Sequence, residues 1–166
     1  MARKESPRKA ALARLPMREF SRSLPMSLLR AREAVMRQFR PSLRDHGLTE
    51  QQWRILRALA SVDTIEVTEL AQLAFLLGPS LSRILRDLEA RELIRRRVVV
   101  ADQRRSQVLI TGAGIKLIET VAPSSEAIYA VINKRYGARK LAALQQMLQA
   151  LEGSLSDLPG QEHGGG

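Results

Sequence analysis

Cysteine is absent from the 166 residues, and histidine occurs only twice, as His46 and His163. The first absence excludes disulfides, thiolate metal sites and a cysteine redox switch. The second argues against a histidine-based metal site, because the two lie far apart in the sequence. No group of carboxylates has the spacing of an acid–base pair, so the chain offers no catalytic residue. The expectation is a protein that is not an enzyme and has no metal and no cofactor. Apolar runs of about 18 residues are also missing, which excludes a membrane-spanning helix. The first residues are charged and lack the apolar core of a secretory signal, so a cytoplasmic protein is expected. Aromatic residues make up 4% of the chain against 45% apolar residues in all. Leu, Ile, Ala and Val must therefore pack the core.

What the chain has in excess is positive charge. The formal net charge is +10, carried mostly by arginine. The planar arginine fork suits phosphates and base edges because it can bond bidentately. A basic balance also suits a membrane surface or an acidic partner, so charge alone selects no partner. The length fits one compact domain.

The stretch from Gly78 to Thr111 organises the rest. Pro79 fits a first helical turn, where its missing N–H has no partner to lose. Leu81, Ile84, Leu85 and Leu88 then recur at helical spacing and predict a buried stripe, which leaves Ser80, Ser82, Arg83, Arg86 and Asp87 facing outward. A β-branched run ending in Val98-Val99-Val100, a polar tip Asp102-Gln103-Arg104-Arg105-Ser106 and a second apolar run to Ile110 predict a β-hairpin. Before this stretch, Val67 to Ala74 reads as a short helix, with Thr68 as its capping residue and Gly78 in the turn that follows. Two short helices joined by a tight turn, the second exposing Ser and Arg, form the helix-turn-helix pattern, and the hairpin adds a wing.

The remaining chain flanks this core. Residues 1–22 are rich in arginine and lysine and contain Pro7 and Pro16, so they read as a flexible basic extension. A helix starts at Pro25 and stops at His46-Gly47, Gly suiting the left-handed turn after a helix. Thr49 with Gln52 is a capping signature for the next helix, whose core side carries Trp53, Ile55, Leu56, Leu59 and Ala60. Asp63 to Val67 is too short for a helix and suits a third small strand beside the hairpin. After Gly112-Ala113-Gly114 come a long helix interrupted at Gly137 and a last helix with Leu141, Leu144, Leu148, Leu151 and Leu155 at helical spacing. The expected fold class is mainly α with a small β-hairpin wing. Residues 23–158 make the domain, with a DNA-binding core at about 48–111, dimerisation helices at about 24–46 and 112–156, and a flexible tail at 159–166. The apolar stripes of the end helices exceed what a core of this size needs, which points to a dimer.

The order of helices, the helix-turn-helix and the wing tip Asp102-Gln103-Arg104-Arg105 resemble the MarR family of bacterial transcription regulators over roughly residues 24 to 155. Four phrases bring the likeness closer to regulators of aromatic-acid catabolic operons. They are Ala31-Arg32-Glu33-Ala34, Phe39-Arg40-Pro41, Leu48 to Ile55 and Pro79-Ser80-Leu81. The resemblance implies a homodimer that binds a pseudo-palindromic operator in double-stranded DNA, usually as a repressor. It also implies release by a small aromatic acid or its CoA thioester. By that resemblance Ser80, Ser82, Arg83 and Arg86 would meet the major groove and its phosphates. Arg104, beside Arg105, would enter the minor groove, with Asp102 holding Arg104 by a salt bridge. For the effector, the groups able to receive a carboxylate and a ring are Arg32, Arg40, His46 and Trp53, with Arg32 beside Trp53 the first choice. Each also has a plain structural reading: Arg32 and Arg40 as partners of Glu33 or Asp45, Trp53 as packing, and His46 as a helix end. A constitutive or architectural DNA-binding protein without an effector is the alternative function.

Overall fold

The computed structural model describes residues 19–99 and 102–156, and for residues 98–99 and 102–105 the backbone alone. A 3-10 turn at Phe20–Arg22 leads into α1 (Leu24–Asp45) and α2 (Glu50–Leu59). Then come β1 (Ile65–Glu66), α3 (Val67–Leu73) and α4 (Gly78–Ala90). The strands β2 (Ile94–Val99) and β3 (Asp102–Ile110) precede α5 (Gly112–Tyr136) and α6 (Ala138–Ser156). The described residues up to Gln38 form one unit, and those from Phe39 onward form a second. Most of the basic extension and the whole of 159–166 lie outside the described residues.

In the first unit, α1 starts one residue before Pro25, and the Arg30 guanidinium donates to the Ser21 carbonyl. Leu24, Leu28, Leu29 and Val35 are exposed along it. In the second unit the core is aliphatic, as the shortage of aromatics requires. Ile55, Leu56 and Leu59 of α2, Leu70 of α3, and Leu81, Leu85 and Leu88 of α4 are buried together with Ile94 and Val108 of the strands. Spacings of three and four put the α4 leucines on one stripe, while Ile84 at its margin is half-buried. Phe39 meets Tyr129 of α5 edge to face, with ring centroids 5.2 Å apart. That is a favoured aromatic geometry.

The third strand expected before the helix-turn-helix is present. β1 pairs antiparallel with β3 (Ile65 opposite Val108), and β3 pairs with β2, giving the order β1-β3-β2. Arg96 stands opposite Val108, and the register shifts between Val98 and Val99. The shift is a bulge-like irregularity of the kind that redirects a hairpin tip.

Helix ends follow the local chemistry with two corrections. Thr49 caps α2 as expected: its hydroxyl accepts from the Gln52 N–H, and the Gln52 side chain accepts from the Thr49 N–H at 2.8 Å. Gly47 after α1 has φ +66°, and the Leu48 N–H returns to the Leu43 carbonyl, closing the helix in the left-handed manner that glycine favours. The first correction concerns α3, which starts at Val67 with Glu66 as its cap, so Thr68 lies inside the helix. The Glu69 carboxylate accepts from the Glu66 N–H at 3.3 Å and anchors the cap two residues earlier than expected. The second correction concerns the turn. Gly78 is already helical, and the left-handed residue is Phe75 at φ +50°.

Candidate nucleic-acid interface

The helix-turn-helix is built from α3, the turn Ala74–Leu77 and α4. The turn is fastened from behind by Arg54 of α2, whose Nη1 donates to the Ala74 carbonyl at 2.7 Å. The other arm of the same guanidinium pairs with Glu50 at 3.1 Å, and Glu50 also holds Arg40 at 3.1 Å. Gln52 Nε2 donates to Asp87 Oδ2 at 2.6 Å and so ties α2 to the middle of α4. These polar ties, added to the buried leucine stripe, hold α4 in one orientation. A site on a packed helix with its supporting bonds made is a rigid site.

The outward arc of α4 carries the expected groups. Ser80, Ser82, Arg83 and Arg86 are all exposed. Arg86 Nε bonds only weakly back to the Ser82 carbonyl, at 3.4 Å. Asp87 is exposed too but is committed to Gln52 and, at 3.7 Å, to Arg91. An open cleft of about 430 Å³ between α2 and α4 is bordered by Gln51, Gln52, Ser80, Arg83 and Asp87.

The wing is joined to this helix by an ion pair. Arg96 of β2 donates through Nε to Glu89 Oε2 at 2.8 Å, and its backbone N–H reaches Glu89 Oε1 at 3.2 Å. These contacts, the side-chain hydrogen bond first, hold the Glu89 carboxyl below its ordinary range, with burial opposing them. The folded pKa is depressed, so the pair stabilises the fold above the unfolded value, roughly 4.3. The contribution is lost as pH falls through the folded value. Both side chains are 35% exposed, and solvent screening limits the gain to less than about 1 kcal/mol. Glu89→Gln is therefore expected to lower stability slightly at pH 7 and to flatten its fall toward pH 3, read from urea unfolding at both pH values. An unaltered acid limb would contradict the pairing. Of the tip, β3 contains Asp102, Arg104 and Arg105 in its backbone path. The expected Asp102–Arg104 salt bridge lies outside the described residues.

The four groups proposed for an effector each have local partners. Arg32 belongs to the first unit, is exposed, and pairs with Glu33 at 3.0 Å. Arg40 belongs to the second unit and pairs with Glu50 rather than with Asp45. It borders a hollow of about 300 Å³ together with Leu43, Arg44, Leu48 and Gln51. His46 Nδ1 lies 2.7 Å from the Ser42 carbonyl at the end of α1, the helix-ending reading. Trp53 is half-buried on α2. Sequence reasoning missed Arg57, one helical turn further on, whose guanidinium carbon lies 5.9 Å from the centre of the Trp53 ring. The i, i+4 spacing of an aromatic and a cation on one helix was the available signal. Among the described residues no group of three His, Cys, Asp or Glu side chains could hold a metal ion, and no helix is long and apolar enough to cross a membrane.

Comparison with known proteins agrees with this geometry. Residues 46–105 match the family described as the MarR family. The homoprotocatechuate degradative operon repressor of Escherichia coli is 39% identical over 142 residues, covering 83% of this chain and 96% of the repressor. Among solved structures, NadR in complex with 4-hydroxyphenylacetate superposes with a TM-score of 0.71 at 38% identity, covering 82% of this chain and 97% of NadR. The transcriptional repressor CouR, bound to a 23-mer DNA duplex, gives 0.74 at 25% identity, covering 83% of this chain and 98% of CouR. These relatives are transcription regulators, not enzymes. With its helix-turn-helix, its three-stranded wing and relatives matched over nearly their whole length, the chain belongs to the MarR family of transcription regulators.

Proposed function

We propose that the protein is a homodimeric repressor of an aromatic-compound catabolic operon, working in the cytoplasm and released from a pseudo-palindromic operator by a small aromatic acid or its CoA thioester. The observation that carries the reading is the two-sided character of α4. One side is fully buried leucine, and the other exposes Ser80, Ser82, Arg83 and Arg86 beside a basic hairpin arm. A helix of this kind reads base edges from its N-terminal turns and phosphates from its flanks. Arg104 and Arg105 at the wing tip would add a minor-groove contact, where negative potential is enhanced in narrow A·T tracts, and Asp102 would orient Arg104.

Dimerisation is supported by apolar residues that folding leaves uncovered. These are Leu28, Leu29 and Val35 in the first unit, and Val131, Tyr136, Met147, Leu148 and Leu155 in the second. The effector reading is supported by the relative that binds 4-hydroxyphenylacetate and by the Trp53–Arg57 pair, which offers a ring face and a guanidinium for an acid. Arg32, Arg40 and His46 remain candidate effector ligands, with Arg32 the first of them. Arg40 would have to exchange its Glu50 partner for the ligand carboxylate.

The test is fluorescence anisotropy on DNA from upstream of the protein's own gene, repeated with hydroxylated benzoates, phenylacetates, cinnamates and their CoA thioesters. Specific, salt-sensitive binding that one compound abolishes is the expected result. Tight binding indifferent to every compound would instead make the protein a constitutive binder.

A further inference from the structure

The turn of the helix-turn-helix closes α3 in the left-handed manner, the Leu76 N–H returning to the Ala71 carbonyl, yet it carries two large apolar side chains that folding leaves uncovered. Phe75 has φ +50°, a conformation that disfavours side chains with a Cβ and suits glycine. Its ring is nevertheless 80% exposed, so no packing compensates the strained backbone. Two residues on, Leu77 caps α4 and is 79% exposed. Strain and exposure at one spot mark a side chain kept for something outside the fold. Arg54 holds the Ala74 carbonyl at the base of the turn and so anchors its backbone.

We infer that Phe75 and Leu77 read thymine, by packing on the C5-methyl groups that this base alone presents in the major groove. The inference rests on the regulator reading above and adds a specificity determinant to it. Apolar side chains at the entry to a recognition helix meet base edges rather than phosphates, and the thymine methyl is the apolar feature there. The surroundings fit a DNA partner. Ser80, Ser82, Arg83 and Arg86 follow within three turns of the same helix, all exposed, in a chain of net charge +10. The polar groups would set the register on the phosphates, and the two apolar groups would sort A·T from other pairs at the positions they cover.

The probe is a duplex that the full chain selects from a random pool, with each thymine replaced in turn by deoxyuridine, which removes only the methyl. Anisotropy should show a loss of about fourfold for each methyl in contact, the value of roughly 0.8 kcal/mol per buried methyl-sized group. Phe75→Gly and Leu77→Ala should each bind the thymine duplex more weakly and treat thymine and uracil alike at one position. Phe75→Gly should also unfold at a temperature no lower than the native chain, because glycine relieves the backbone, so lost affinity cannot be lost folding. Thymine-to-uracil changes without effect on the native chain would overturn the inference. So would variants that keep the thymine preference, or variants with unchanged DNA affinity and an altered oligomeric mass, which would assign the patch to a second copy of the chain. A chain that selects no duplex removes the regulator reading and this one with it. A chain that selects one and ignores its methyls removes this one alone.

Discussion

Replacing Gly114 by alanine is expected to destabilise the protein by about 3 kcal/mol, the scale of forcing extra atoms into a packed interior. The reason is the way α5 leaves the wing. Thr111 caps the helix, accepting from the Gly114 N–H at 3.1 Å, donating through its hydroxyl to the Glu92 carbonyl at 2.7 Å and through its N–H to the Leu93 carbonyl. These three bonds draw the first turn of α5 down onto the base of the hairpin. A Cβ at Gly114 would then lie 2.3 Å from the Leu93 carbonyl oxygen and 2.7 Å from Ile110 Cγ1. The first obstacle is backbone and cannot rotate away, so the helix must lift and the capping bonds must stretch. Gly153→Ala in α6 is the control: nothing lies within 4 Å of its added Cβ, and the helix should gain up to about 1 kcal/mol. Urea unfolding of both variants checks the pair. A cost at Gly114 of less than about 0.5 kcal/mol, the level of ordinary surface changes, would contradict the close approach.

The second large effect is on DNA. Removing both Arg83 and Arg86 by substitution with alanine should weaken binding to the preferred duplex roughly 10- to 100-fold near 0.1 M salt. Each lost phosphate contact removes about 0.9 from the slope of log affinity against log salt. Stability should not change, because both side chains are exposed and, among the described residues, Arg86 makes only the long bond to Ser82. A shallower slope with similar losses on all sequences means phosphate contacts. A preserved slope with relaxed preference at one position means a base contact instead. Unchanged affinity and slope together would take α4 out of the interface.

Much of this arrangement is legible in the sequence because it is written in local periodicity. The spacing of the leucines of α4, the Thr49–Gln52 cap and the Gly47 stop all depend on neighbours within a few residues. What escapes depends on distant partners. Nothing near Arg54 says that it reaches the Ala74 carbonyl, nor does anything near Gln52 point to Asp87, 35 positions away. Gly114 reads as a boundary glycine, yet its role is to let two backbones meet. The turn misleads for a different reason. Gly78 has the composition of a left-handed residue, but Pro79 behind it favours a helical start, and the strain falls on Phe75 instead. In the effector region the local partners are visible in part: Arg32 does meet the adjacent Glu33, whereas Arg40 chooses Glu50 on the next helix.

The central claim is that DNA and an aromatic acid compete for the state of one protein, and reciprocity of binding tests it most directly. Calorimetric titration of 4-hydroxyphenylacetate into the free chain and into the chain saturated with its selected duplex gives two affinities. The account predicts weaker acid binding to the DNA-bound chain, typically by 5- to 150-fold, and the same factor by which the acid weakens DNA binding. Equal acid affinity in both states, or an acid that binds neither while DNA binds tightly, would contradict it.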